Sequence, residues 1–127
     1  MSSSRPFHRG ILALSLGLST LAAVAAPDVP PADLALAGDA AAGKKVATDR
    51  AKGNCVACHV IAGAESPGAL GPALVAMQTR FPNKQELARQ IWDATIKNLE
   101  AVMPPFGKHE ILSGKEFVDV VEYVWSL

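Results

Sequence analysis

The 127-residue sequence predicts an all-α domain in which three main helices, joined by long loops, wrap one central group. Three observations carry that expectation. Capping residues stand ahead of segments whose apolar residues recur three and four apart, the spacing of one helical face. Neither a β-hairpin signal nor an internal repeat occurs in the sequence. The only two cysteines stand together with a histidine as Cys55-Val56-Ala57-Cys58-His59.

The N-terminus reads as an export signal over residues 1–25. Arg5 and Arg9 form a positive region, residues 11–24 an apolar run, and Ala23-Val24-Ala25 an A-x-A cleavage site. A cut after Ala25 is favoured, because a cut after Ala26 would place Pro27 at the scissile bond. An uncleaved anchor is the competing reading, but about 14 residues are short for a membrane span. Cleavage would leave about 102 residues, enough for one small domain, and no further membrane span. Loss of Arg5 and Arg9 leaves ten basic against twelve acidic residues, a balance that argues against a nucleic-acid partner.

Residues 26–37 carry three prolines and no periodicity, and read as an extended arm or linker before a domain at 38–127. Asp39 can cap a first helix running to about Lys52, with Gly53 and Asn54 ending it. Residues 60–82 are rich in glycine and proline and read as loop around one short turn near residues 72–79. Asn83, with Glu86 three residues on, opens a second helix whose apolar face is Leu87, Ile91, Ala94, Thr95 and Leu99. Pro104, Pro105 and Gly107 make another loop. Ser113 and Glu116 form a capping box for the last helix, with Phe117, Val120, Val121, Val124 and Trp125 as its buried stripe. Loops this long are uncommon in a small domain unless they serve a function.

C-x-x-C-H is the attachment pattern of a c-type haem. Two thiols three positions apart lie on one side of a helical turn and can add to the two vinyl groups on one haem edge. His59 follows at once and can reach the iron from the proximal side. Three other readings compete. A disulfide here would close too small a loop to stabilise much. A thioredoxin-like pair expects a βαβ setting that the sequence lacks. A structural zinc needs about four ligands, and Cys55, Cys58, His59 and His109 lack the usual paired spacing. Haem attachment on the outer side of the bacterial cytoplasmic membrane agrees with the export signal, and the expected location is the periplasm. A chain this small buries a modest core, so a covalent haem would supply its centrepiece and the haem-free chain should fold poorly.

A second axial ligand is expected, since His/Met ligation raises the potential. Met103 is the candidate, because Pro104 disfavours helix at the preceding residue and Pro105 stiffens the segment. Met77 lies too near His59 in sequence, and His109 sits in a polar turn. Near Gly71-Pro72 a carbonyl can accept from the free ring nitrogen of His59, Pro72 steadying the proximal loop; an ordinary turn explains the dipeptide equally. Trp92 and Trp125 read as core aromatics, and Lys97, Lys108 and Lys115 as a solvated face more than a haem rim.

These features resemble a class I c-type cytochrome: Gly38-Asp39 with Gly43, the Cys-x-x-Cys-His motif, Gly71-Pro72 and Met103 fall where that family has them. Residues 53–127 also resemble the SoxX family, the small monohaem subunits of SoxAX cytochromes in bacterial thiosulfate oxidation. The telling segments are Arg80-Phe81-Pro82 and Met103-Pro104-Pro105-Phe106-Gly107-Lys108-His109, with Gly53-Asn54-Cys55, Pro67-Gly68 and the final Val120-Val121, Tyr123-Val124 and Leu127. The resemblance implies a heterodimer with a SoxA-like haem subunit. That complex couples thiosulfate oxidatively to a cysteine of a sulfur-carrier protein, as an L-cysteine S-thiosulfotransferase. The sulfur site would lie on the partner, and the single haem c of this chain would pass electrons to an acceptor cytochrome. The second expectation is a free periplasmic electron carrier. A haem-based sensor is disfavoured, because Met103 would fill the vacant position that gas sensing needs.

Overall fold

The structure is a computed structural model that describes residue 30 and residues 34–127 apart from residue 66. The expected signal peptide lies outside the described residues, as does most of the expected arm. The end of that arm is held against the domain: Leu34 and Leu36 pack on the core, and Lys84 Nζ donates to the Leu36 carbonyl at 3.3 Å.

Among the described residues four α-helices form, α1 at Ala40–Thr48, α2 at Met77–Arg80, α3 at Lys84–Trp92 and α4 at Gly114–Trp125, with 3₁₀ turns at Cys55–Ala57 and Ala94–Ile96. Among the described residues no strand forms. The starts of α1, α3 and α4 obey their local chemistry. The Asp39 side chain accepts from the Ala41 and Ala42 amides, Asn83 accepts from the Glu86 amide, and Ser113 with Glu116 makes a complete capping box.

Two helix ends come earlier than the apolar pattern suggests. α1 stops at Thr48, because the Asp49 side chain accepts from the Ala51 amide at 2.8 Å and its carbonyl from the Asn54 amide at 3.0 Å. α3 stops at Trp92, where Asp93 turns to extended backbone and its side chain accepts from the Thr95 amide. Local bonds of this kind compete with helix. Leu99, expected on the buried face, is therefore 90% exposed. The short turn forms at α2, at the end of the expected 72–79 and one residue beyond it. On α4, Trp125 is half-buried, while Asp119 and Tyr123 join the buried residues.

α1 and α4 cross at a contact made possible by glycine. A Cβ on Gly43 would lie 1.9 Å from the Asp119 carbonyl oxygen, and one on Gly38 would lie 2.5 Å from that of Val118. The buried Asp119 carboxylate fixes the crossing by accepting from the Asp39 amide at 2.9 Å and from Lys115 Nζ at 2.6 Å. On its other face α4 meets α3, where Trp92 and Phe117 pack edge to face at 5.3 Å. Leu87, Phe117, Val120 and Val121 are the largest fully buried side chains. They leave a cavity between α3, α4 and the loops.

Candidate cofactor site

Asn54 adopts a left-handed conformation at φ 45°, which asparagine tolerates better than most residues. It turns the chain into the 3₁₀ turn Cys55–Ala57. Cys55, Cys58 and His59 line the cavity, while Val56 is buried in the core. Both cysteines are free, half-buried thiols. Burial pushes the Cys55 thiol up to about 11, so it meets the apolar cavity in its neutral form.

Residues 68–74 run along the back of this turn. The Gly68 amide donates to the Val56 carbonyl at 2.7 Å, that of Gly71 to Cys58 at 2.8 Å, and that of Leu74 to Val60 at 2.9 Å. His59 Nδ1 lies 2.7 Å from the Pro72 carbonyl oxygen. A carbonyl can only accept, so the proton is assigned to Nδ1, and Nε2 keeps a lone pair. The ring also packs on Gly71, where a Cβ would lie 2.4 Å from His59 Cε1. The Gly71-Pro72 segment thus both orients the imidazole and selects its tautomer.

The cavity measures about 830 Å³, towards the upper end of the range for pockets that enclose small ligands and cofactors. Its walls are Leu74, Met77, Leu87, Ile91, Phe106, Leu112, Val120 and Val124, with Met103 and Pro104 contributing as well. Arg50, Lys52, Arg80 and Gln90 add polar lining. Cys55, Cys58, His59, Pro72 and Met103, scattered over 49 positions of sequence, therefore share one cavity. The donor set suits a haem c: two thiols for thioethers, one imidazole nitrogen and one thioether sulfur for iron, and apolar walls for a macrocycle.

Other sequence candidates either bond elsewhere or lie outside the cavity. Met77 is buried and lines the cavity, but its sulfur accepts from Arg80 Nη1 at 3.6 Å. His109 is exposed and is not among the lining residues. Among the described residues no three His, Cys, Asp or Glu side chains gather as a metal site. Lys97, Lys108 and Lys115 pair with Glu86, Asp93 and Asp119 and do not rim the cavity. Sequence reasoning missed Asp93, which is 2% exposed. The Thr95 hydroxyl, and then Lys108, hold its carboxyl below the usual carboxylate range. Its only signal was an acidic residue set inside an apolar run.

The family described as cytochrome C oxidase, cbb3-type, subunit III, matches residues 38–124. Among solved structures, the crystal structure of SoxXA from P. pantotrophus is similar with a TM-score of 0.64 and 25% sequence identity, over 70% of this chain and 81% of that one. No curated protein matches. Among the described residues no helix is long and apolar enough to cross a membrane.

Proposed function

The chain belongs to the family described as cytochrome C oxidase, cbb3-type, subunit III, a class I c-type cytochrome family, and from that premise we propose that it is the monohaem electron-transfer subunit of a SoxAX-type complex in the periplasm. The observation that carries the narrower reading is the likeness to SoxXA over most of both chains.

A bound haem c would supply a one-electron redox centre. Cys55 and Cys58 would tether it through thioethers. His59, held by the Pro72 carbonyl, would offer Nε2 to the iron, and Met103 its sulfur. Leu74, Leu87, Ile91 and Phe106 would keep water from the macrocycle and hold the potential up. With both cysteines of the sequence committed to thioethers, this chain retains no thiol for sulfur chemistry. Thiosulfate coupling to the sulfur carrier is therefore assigned to a SoxA-like partner chain. The present chain removes the electrons and passes them to an acceptor cytochrome. It would be part of an L-cysteine S-thiosulfotransferase without holding its sulfur site.

The test is affinity purification of the tagged full chain from its native host, read on a haem-stained gel. Co-purification of a larger haem-staining band is expected, followed by thiosulfate-coupling activity of the pair. A single small haem band at low salt would instead mark a free electron carrier and remove the sulfur assignment.

A further inference from the structure

The 94–108 loop carries Met103 near its middle, and one carboxylate closes it at the base. Asp93 Oδ1 accepts from the Thr95 amide at 2.9 Å and from the Thr95 hydroxyl at 2.5 Å. Asp93 Oδ2 accepts from Lys108 Nζ at 3.1 Å. The two oxygens thus grip opposite ends of the same loop. On the outgoing side the grip continues through the 3₁₀ turn: the Asn98 amide donates to the Ala94 carbonyl at 3.2 Å, and that of Ala101 to Asn98 at 2.9 Å. On the returning side, the Gly107 and Lys108 amides both donate to the Trp92 carbonyl at 3.3 Å. Gly107 presses so close to Trp92 that a Cβ would lie 2.0 Å from the indole. Between this anchor and Met103 lie Pro104, Pro105 and the buried Phe106. The prolines fix φ, so a shift at 107–108 is passed on to residue 103.

A carboxylate 2% exposed is expensive to bury, and the net gain from its ion pair is small. Holding a unique geometry is the better-attested use of such a pair. We infer that Asp93 is a positioning residue for Met103, fixing both ends of its loop so that the thioether is held against the iron. The inference rests on the reading of Met103 as an axial ligand.

The test uses the haem-loaded full chain and titrates the oxidised protein with imidazole, a ligand that must displace the sulfur. Asp93→Asn keeps an oxygen for Thr95 and removes the charge that holds Lys108. It is expected to bind imidazole about tenfold more tightly than the parent, the change that ~1.4 kcal/mol brings. Its midpoint potential should move part of the way towards that of Met103→Ala. Lys108→Gln attacks the pair from its more exposed end and should give the same tightening if Asp93→Asn fails to fold. In the Met103→Ala background neither change should tighten imidazole further. If Asp93→Asn and Lys108→Gln lower the denaturation midpoint but leave imidazole affinity and potential at parental values, the carboxylate is merely structural and the inference falls. If Met103→Ala itself leaves imidazole affinity unchanged, the ligand reading falls first and takes this one with it.

Discussion

At the scale of single residues, the site depends as much on missing atoms as on present ones. Gly71 lies under the His59 ring, and a methyl there would come within 2.4 Å of Cε1 and 2.6 Å of Nδ1. Contacts that short force the ring or the 71–72 backbone to move, and the Nδ1–Pro72 hydrogen bond would go with it. Gly71→Ala should therefore destabilise the haem-loaded protein by about 2 kcal/mol in urea unfolding. Gly114→Ala, where a Cβ meets nothing within 4 Å, serves as the control and should change little. Equal midpoints for the two variants would show that the ring is not pinned. That Cys55, Cys58 and His59 stand together at the cavity was legible in the sequence, because the covalent attachment proposed for them demands a fixed local spacing. The hydrogen-bonding carbonyl was legible only as a place near Gly71-Pro72, since a proline announces a stiff turn and says nothing of where its oxygen points.

The three longer helices begin where the sequence marks them, and α1 and α3 end where side chains interfere. Asp39, Asn83 and Ser113 are local signals, and each caps its helix. The ends at Asp49 and Asp93 escaped the periodicity, because Ala94, Thr95 and Leu99 continue a helical face across a residue whose carboxylate prefers the Thr95 amide. What makes Asp93 tolerable is Lys108, fifteen positions away, and such a partner cannot be read from a window. The start of α4 carries a pH-dependent prediction. Lys52 first, and then the Ser113 amide and hydroxyl, hold the Glu116 carboxyl down at about 2, against an ordinary 4.5. A carboxyl lowered by folding stabilises fully above its unfolded value and stops doing so as pH falls through its folded value. Glu116→Gln should therefore unfold at lower denaturant than the parent at pH 6. The gap should narrow below about 4.5 and close near 2, the span between the two values. A gap independent of pH would mean that the carboxylate charge contributes nothing to the helix start.

For the molecule as a whole, the cavity divides the fold into two parts with different dependence on the haem proposed to fill it. The α1–α4 crossing is self-contained: Gly38 and Gly43 sit against α4 backbone, and Asp119 ties Asp39 and Lys115 together. Many other core residues, among them Leu74, Leu87, Ile91, Phe106 and Leu112, are also cavity walls. Apolar walls around about 830 Å³ gain little from packing unless something fills the space, because lining atoms facing a void lose their contacts. The sequence hinted at this through its size and its long loops, but that α1 stands apart from the cavity, while α4 faces α1 on one side and lends Val120 and Val124 to the cavity on the other, emerges only from the structure. The double variant Cys55→Ala/Cys58→Ala, unable to form thioethers, should therefore lose structure unevenly. Hydrogen exchange should remain slow in α1 and α4 and become fast in α3, in residues 68–74 and in the 94–108 loop, with the near-ultraviolet signal of Trp92 reduced. Uniform slow exchange across all four helices would mean that the walls hold themselves up. Uniform fast exchange would mean that the α1–α4 pair has no stability of its own and that the cofactor organises the whole chain.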